Sequence, residues 1–458
     1  MEITHRNSLT EGVIWKQLLR FFFPIMLGTL FQQLYNTVDT VVIGQYAGTN
    51  ALAAVGGSAS QIINLLIGFF VGLSSGATVI VSQFFGAQND SGLYKAVQTA
   101  MALALFTGAL MTALGIALSP WLLALMRTPA ETMQESILYM RIYFLAMIPF
   151  MIYNVGAGVL RALGDSRRPL HFLIMACLTN VLLDLVFVAV FRLGVAGVAV
   201  ATALAQVVSA VLIWRCLLHV VGKRGMSIRH MRIDPNILSH TLQIGFPSGL
   251  QAVMYSLSNM IITATINGFG TTTVAAWVSL GKVDGMFWMI NNAYGASVMT
   301  FVGQNYGARK LERAERSILV CGGLSVSTAW LFSFVFYTFA PVIFSLFTKD
   351  PEVMENALRM VHSLTPWYFL FVPVEMFSGA LRGMGDTLIP TLLTALGICV
   401  FRSAWMFLVV PGWHEIEGIT LSYPISWSIT SIAFFVYYLS RRRKLGFTFP
   451  PFSSPKDA

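Results

Sequence analysis

The sequence predicts an all-α polytopic membrane protein with twelve transmembrane helices arranged in two six-helix lobes. Its composition, its pattern of apolar runs and an internal repeat lead to this prediction. Of the 458 residues, 56% are hydrophobic and only 11% are charged, and the mean hydropathy is +0.71. A soluble domain carries roughly 25% charged residues. Lipid must therefore replace water over most of the protein surface.

Twelve apolar runs are each long enough to cross a bilayer, which requires about 20 predominantly apolar residues. They lie near residues 14–45, 51–84, 94–118, 131–160, 168–191, 195–221, 237–268, 273–305, 311–340, 352–383, 387–410 and 415–440. Several runs are longer than a helix perpendicular to the membrane needs, so we expect tilted or extended helices. The N-terminal segment contains charged residues and lacks the apolar core of a signal peptide, so we expect the first run to be retained.

The distribution of Lys and Arg predicts the orientation of the chain. With both termini in the cytoplasm, 22 of the 29 basic residues fall on the cytoplasmic side. The positive-inside rule therefore predicts cytoplasmic termini and an even number of spans. We expect a multi-pass protein of a bacterial or archaeal cytoplasmic (inner) membrane. The net charge of +9 follows from this topology, and no nucleic-acid partner is expected.

The two halves of the sequence repeat one another at a nearly constant offset of 221–223 residues. The matched markers are Pro24 with Pro247, Asn36 with Asn259, 83–88 (QFFGAQ) with 304–309 (QNYGAR), 160–169 (LRALGDSRRP) with 381–390 (LRGMGDTLIP), and Gly197 with Gly418. Because six spans is an even number, the two lobes share one orientation. They should be related by a pseudo-two-fold axis along the membrane normal, as in transporters with parallel repeats.

This repeat also predicts the domain organisation. We expect an N-lobe over residues 1–221, a cytoplasmic linker over 222–236, a C-lobe over 237–440 and a basic cytoplasmic tail over 441–458. A cleft between two such lobes can open to either side of the membrane by rocking.

Two acidic residues, Asp39 and Asp184, lie well inside predicted spans of the first half. An ionisable group inside a membrane is costly, which makes it a candidate functional group. The equivalent positions in the second half are Ile262 and Trp405. The repeat itself therefore requires no acid at either position, and the two acids belong to one lobe only.

Other polar side chains accompany these two acids. They are Gln32 and Tyr35 on the helical face of Asp39, Tyr139 on the fourth span, Asn180 one turn before Asp184, and Thr202 on the sixth span. The two acids, Tyr139 and Thr202 share a predicted depth of roughly 9–12 Å below the outer boundary, at about 1.5 Å per residue. Two carboxylates close together in a low-dielectric cavity do not readily both stay ionised, which favours uptake of a proton or a cation.

We therefore predict a proton- or cation-coupling site, completed by neutral oxygen and donor groups. Its members are Asp39, Asp184, Asn180, Tyr139 and Thr202. The alternative is that each acid only forms hydrogen bonds between helices.

The second half has intramembrane charges of its own, namely Lys282, Asp284, Glu375 and Arg402. Lys282 and Glu375 can pair across the eighth and tenth spans, either as part of a substrate or coupling site or as a structural ion pair. As residues of a substrate cavity we single out Gln32, Tyr35, Asn36, Asn154, Lys282 and Glu375. Pro24 is predicted to kink the first helix, either as a fixed bend or as one that follows the charge on Asp39.

Catalytic and metal-binding patterns are not found in the sequence. The four cysteines, Cys177, Cys216, Cys321 and Cys399, stand singly in apolar surroundings, and the seven histidines form no paired-ligand motif. A membrane enzyme would need a nucleophile–base pair or metal ligands within its spans. We therefore predict a protein that is not an enzyme and holds no cofactor.

Several segments resemble the multidrug and toxic compound extrusion (MATE) family. They are PIMLGTLFQQLYNTVDTVVIG in the first span, VSQFFGA after the second, LRALGD after the fourth and LTNVLLD in the fifth. The resemblance covers nearly the whole chain, and its motifs recur in both halves. It implies antiport, in which an organic and often cationic drug or toxin leaves the cell while H⁺ or Na⁺ enters.

Within that family, Asp39, Asn180 and Asp184 resemble the N-lobe coupling site of the DinF-like branch. With Thr202 they make up the ligand set for Na⁺, if Na⁺ is the coupling ion. The NorM-like branch adds acids in its helices 7 and 10. Here the seventh span has no acid, and Glu375 in the tenth lies about one turn from the position that branch uses. The cation site of that branch is therefore not expected.

One relative of this family offers an alternative function. A flippase for a lipid-linked precursor belongs to the same wider superfamily, but its phosphate-bearing substrate calls for several Arg or Lys residues in the cavity. The predicted cavity of the first lobe presents aspartates instead. A monomer is expected, because each chain contains a complete pair of lobes.

Overall fold

The computed structural model describes residues 9–222, 232–413 and 415–445, and these residues are helical almost throughout, with no β-strand among them. The all-α prediction is confirmed. Up to residue 220 the helices are α1 (Ile14–Tyr46), α2 (Gly48–Gly56), α3 (Ser58–Gly86), α4 (Asp90–Leu125), α5 (Ala130–Leu145), α6 (Met147–Ala162), α7 (Arg167–Asp184) and α8 (Gly194–Val220). A π-helical turn, Leu185–Val190, extends α7.

Nine further helices lie in the described part of the chain after residue 232. They are α9 (Pro235–Asn267), α10 (Thr271–Gly307), α11 (Leu311–Ser345), α12 (Pro351–Leu364), α13 (Val372–Gly383), α14 (Leu388–Thr394), α15 (Phe401–Leu408), α16 (Ile416–Thr420) and α17 (Ser422–Leu445). A 3₁₀ segment, Thr365–Leu370, joins α12 to α13. A π-helical turn, Ala395–Val400, joins α14 to α15.

The chain divides into two compact units, Met1–Val253 and Met254–Ala458. The first unit contains α1 to α8 and the N-terminal part of α9, and the second contains the remainder. The predicted lobe limits stay predictions. Most of the predicted linker (223–231) and the end of the predicted tail (446–458) lie outside the described residues.

Eight helical segments of the described chain are long and apolar enough to cross a membrane, and a ninth is obtained if α5 and α6 count as one span. Helices α9 and α10 are 33 and 37 residues long, but they are not among these eight segments. The polytopic membrane architecture is therefore confirmed, whereas the count of twelve spans stays a prediction.

The predicted fourth span is broken in the structure. Helices α5 and α6 meet at Ala146 with a bend of 49°. Pro149 lies in the first turn of α6, where its missing N–H costs no intrahelical hydrogen bond. In one continuous helix through α5 and α6, the N–H of residue 149 would have to donate a hydrogen bond to the backbone oxygen of Leu145. Proline has no N–H to donate. In contrast, α1 runs through Pro24 as a single helix, and the kink predicted there stays a prediction.

Glycines bring two helices of the first unit into close contact. A Cβ atom placed on Gly72 would lie 2.7 Å from Gly249 Cα, and one on Gly76 would lie 2.8 Å from the backbone N of Gly245. The approach of α3 to α9 is therefore backbone against backbone. Small residues at helix contacts are typical of membrane proteins, where packing rather than hydrophobicity holds helices together.

Aromatic side chains dominate the interior of the second unit. Phe287 stacks on Tyr368 with ring centroids 4.2 Å apart, and Trp288 meets Phe371 edge to face at 4.8 Å. Trp427 is completely buried beside them. These rings form a rigid wall beside the charged side chain of Asp284, which Tyr368 and Trp288 contact.

Candidate functional site

The first unit brings together four polar side chains from three helices. Asp39 comes from α1, Asn180 and Asp184 from the last turns of α7, and Thr202 from α8. The side chains of Asp184, Asn180 and Thr202 lie within hydrogen-bonding reach of the Asp39 carboxylate. Asn180 Nδ2 lies 3.5 Å from Thr202 Oγ1, at the limit of a hydrogen bond. We call these four residues the acidic cluster.

Asn180, Asp184 and Thr202 of the acidic cluster are buried and Asp39 is half-buried, yet several of their polar atoms lack hydrogen-bond partners among the described residues. Asp184 is completely buried and Asn180 is 1% exposed. Both carboxylate oxygens of Asp184, Oδ1 of Asp39 and Oδ1 of Asn180 have no hydrogen-bond partner among the described residues. Two facing carboxylates are both acceptors, so neither can satisfy the other without a proton or a cation between them. Unsatisfied buried acceptors of this kind are costly.

The helix that carries two of the four residues changes geometry at the cluster. Helix α7 ends at Asp184, and the following residues, Leu185–Val190, form a π-helical turn. Such turns are rare and occur often at functional sites. The wider turn ends the regular i→i−4 hydrogen-bond pattern directly after the buried acid.

Tyrosines lie around the Asp39 carboxylate. Tyr35, Tyr139 and Tyr143 are all near enough to interact electrostatically with it. The rings of Tyr139 and Tyr143 lie 5.9 Å apart, and Tyr139 also packs against an apolar group that includes Val42. Tyr143 was not predicted from the sequence, although its spacing of four residues from Tyr139 places it on the same face of α5.

The remaining residues predicted for a substrate cavity in the first half are not gathered at the acidic cluster. Gln32 and Asn36 are exposed on α1. Asn154 Nδ2 donates to the backbone oxygen of Phe150, one turn earlier in α6, at 2.9 Å. Their role in substrate binding stays a prediction.

The donor set of the acidic cluster suits a proton or a hard cation. It offers carboxylate, amide and hydroxyl oxygens, which hard cations prefer as ligands. No group of three or more His, Cys, Asp or Glu that would bind a transition metal is found in the parts of the chain that the structure describes. Four oxygens of the cluster lack a hydrogen-bond partner among the described residues, and the ion site stays a prediction beside the alternative of hydrogen bonds between helices.

The second unit contains a cavity of about 490 Å³ lined by charged and aromatic side chains. Asp284 on α10 lines this cavity, and two hydrogen bonds hold its carboxylate in place. Tyr368 donates to Asp284 Oδ1 at 2.5 Å, and the indole N–H of Trp288 donates to Oδ2 at 2.6 Å. Arg402 on α15 is 4% exposed and lines the same cavity. Neither Asp284 nor Arg402 was assigned to a site from the sequence.

The predicted pair between Lys282 and Glu375 is not formed, and this prediction was wrong. Glu375 Oε1 lies 3.5 Å from Arg382 Nη2. Both residues belong to α13 and are seven positions, about two turns, apart, so they share one helical face. Lys282 is exposed on α10 and does not line the cavity, whereas Glu375 does.

Comparison with known proteins agrees with this architecture. The sequence model of the MatE family matches residues 24–186 and 247–407, one match in each half. A "Probable multidrug resistance protein YoeA" from Bacillus subtilis is 28% identical over 95% of both chains. An "FAD transporter" from Shewanella oneidensis is 26% identical over 95% of this chain and 96% of its own.

Solved structures share the fold. A "multidrug resistance MATE family transporter of the MOP superfamily" in an "outward-facing conformation" superposes with a TM-score of 0.89 and 23% identity, over 98% of this chain and all of its own. Because the family match extends over well more than half of the chain, in both of its halves, the protein belongs to the MatE (multidrug and toxic compound extrusion) family of membrane transporters.

Proposed function

We propose that the protein is a secondary active antiporter that exports small organic compounds, cationic and amphipathic, in exchange for H⁺ or Na⁺. The single observation that carries this proposal is the acidic cluster, whose buried carboxylate and amide oxygens lack hydrogen-bond partners among the described residues. Membership of a transporter family makes ion coupling the natural use of such a cluster. The B. subtilis relative named as a probable multidrug resistance protein supports the substrate class.

In the proposed mechanism the acidic cluster takes up its ion from the outer side and releases it to the cytoplasm. Without an ion, the Asp39 and Asp184 carboxylates repel each other across a buried contact. A proton or Na⁺ between them removes this repulsion, and Asn180 and Thr202 supply further oxygens. Ion binding and substrate binding thus favour different conformations of the transporter. Alternating access requires such a difference.

We also propose a location for the protein. The concentration of Lys and Arg in one set of loops supports a multi-pass protein of a bacterial or archaeal inner membrane with both termini in the cytoplasm. Each chain contains both halves of the repeat, which supports a monomer as the transporting unit. Small-molecule drugs or toxins and the lipid bilayer are then its partners.

Transport in proteoliposomes tests the antiport proposal. The purified protein is reconstituted, and uptake of a fluorescent cationic dye is followed under an imposed pH gradient or, separately, an imposed Na⁺ gradient. We expect one of the two gradients to drive the dye against its own gradient, and the effective gradient identifies the ion. Collapse of the gradient by an ionophore should stop the uptake. Failure of both gradients would refute the antiport proposal and turn attention to lipid-linked substrates.

A further inference from the structure

The strongest unexplained feature of the second unit is a buried arginine with an unused hydrogen-bond donor. Arg402 Nε donates to Ser426 Oγ at 2.9 Å, and its guanidinium carbon lies 4.0 Å from the ring centroid of Tyr423. The side chain is therefore held in place from two sides. Its Nη2 group is nevertheless buried without a hydrogen-bond partner in the described part of the chain.

The acids that line the same cavity form no direct ion pair with this arginine among the described residues, although Asp284 is near enough to interact with it electrostatically. Both oxygens of Asp284 already accept hydrogen bonds, from Tyr368 and Trp288. The carboxylate of Glu375 lies 3.5 Å from the guanidinium of Arg382. The negative charge of Glu375 is therefore partly compensated by Arg382. No ion pair is found between Arg402 and either acid in the described chain. A guanidinium stays charged at any physiological pH, so its free N–H groups favour an anionic partner from outside the protein.

The remaining walls of the cavity suit a flat ring system. Trp277, Trp288, Phe371 and Tyr423 all line it. Aromatic side chains bind planar ligands by offset or edge-to-face contact, and the cavity volume of about 490 Å³ lies in the range of sites for drug-sized molecules. A cavity with aromatic walls and one guanidinium that lacks an ion-pair partner favours compounds that carry both a flat ring system and an anionic group.

We infer that the cavity of the second unit binds planar aromatic compounds through an anionic oxygen group, a carboxylate or a phosphate, held by Arg402. This inference rests on the proposed function, because it takes the ligand of the cavity to be a transported substrate. Among the cationic compounds of the proposed function, it narrows the substrate class to zwitterions, which carry an anionic group as well as a positive charge. Asp284, fixed by Tyr368 and Trp288, serves as a positioning residue that balances the buried charge of Arg402.

A matched pair of fluorescent probes tests the inference. One probe is a rhodamine with a free carboxylate, and the other is its ethyl ester, which has the same ring system and the same positive charge. Binding to purified wild-type protein is measured by fluorescence polarisation without any ion gradient. We expect the carboxylate to bind about ten-fold more tightly than the ester, which corresponds to one charge-assisted hydrogen bond.

Replacement of the arginine should remove this preference. In Arg402→Met the affinity for the carboxylate should fall about ten-fold while the affinity for the ester stays unchanged, and Arg402→Lys should retain part of the preference. Arg402→Gln, which keeps hydrogen-bonding groups but no charge, is a second neutral variant in case Arg402→Met does not fold, as judged from its melting temperature. Arg359→Met is the matched control, because Arg359 forms an ion pair with Glu417 and does not line the cavity.

The possible results separate this inference from the proposed function. Equal binding of the two probes by wild type, or a preference that survives in both neutral variants, would overturn the inference. If ion-driven dye transport remained normal in that case, the antiport proposal would still stand. Conversely, a carboxylate preference that depends on Arg402 supports the inference even if neither ion gradient drives transport, since binding is measured without a gradient.

Discussion

Replacing Asp184 with Asn is expected to abolish ion-driven export while leaving the protein folded. Asp184 is completely buried, and neither of its carboxylate oxygens has a partner among the described residues. Asn has the same shape but takes up neither a proton nor Na⁺ as a counter-charge. Gradient-driven dye transport should therefore fall to the level of protein-free liposomes, because an acid that neither binds nor releases the ion contributes no coupling free energy.

The stability of this variant separates a coupling role from a structural one. Asp184→Asn removes one of two carboxylates that face each other in the acidic cluster, so the melting temperature should stay the same or rise. Glu131→Gln is the control, because Glu131 is an exposed acid in the first turn of α5. A lower melting temperature for Asp184→Asn, with transport reduced only in proportion to the folded fraction, would mean that the acid is structural.

A second large effect is expected where α3 meets α9. A methyl group added at Gly76 would overlap the backbone oxygen of Thr241 and would lie 2.8 Å from the backbone N of Gly245. Backbone atoms cannot move aside as a flexible side chain does, so the two helices must separate. Gly76→Ala should lower the free energy of unfolding by about 1–3 kcal/mol, measured as a lower melting temperature in detergent.

Gly281→Ala provides the matched control for this substitution. Gly281 also lies within a long helix, α10, but apart from its own helix backbone no atom of the described residues lies within 4 Å of the position that its Cβ would occupy. Alanine is the better helix former, so this variant should be more stable than wild type by about 0.5–1 kcal/mol. Equal effects of the two substitutions would contradict the close contact between α3 and α9.

The sequence was sufficient to predict the helical membrane fold and the members of the acidic cluster. Both follow from one physical rule, the high cost of charge in lipid. The rule selects apolar runs as spans and leaves Asp39 and Asp184 as exceptions that require a reason. Asn180 and Thr202 were found because helical periodicity and predicted depth restrict which polar residues can lie near those acids.

Other features were not accessible from hydropathy. The break at Ala146 interrupts a run that stays apolar on both sides, so only Pro149 signals it. The hydrogen bond from Tyr368 to Asp284 joins residues 84 positions apart, and nothing in the local sequence selects that partner. The pairing of Glu375 with Arg382 was open to prediction from their spacing along one helix, whereas the predicted pair with Lys282 was sought only between two spans.

The central claim is that an inward-moving ion and an outward-moving organic compound are coupled through the acidic cluster. The most direct measurement is ion movement driven by substrate alone. Proteoliposomes carrying wild type or Asp39→Asn are loaded with a pH- or Na⁺-sensitive indicator, and the cationic dye is added outside with no ion gradient imposed. Because coupling is reciprocal, we predict that dye entry into wild-type vesicles drives H⁺ or Na⁺ out, and that Asp39→Asn binds the dye without moving either ion. Dye entry into wild-type vesicles without a change in either ion, or ion movement that persists in Asp39→Asn, would contradict the account.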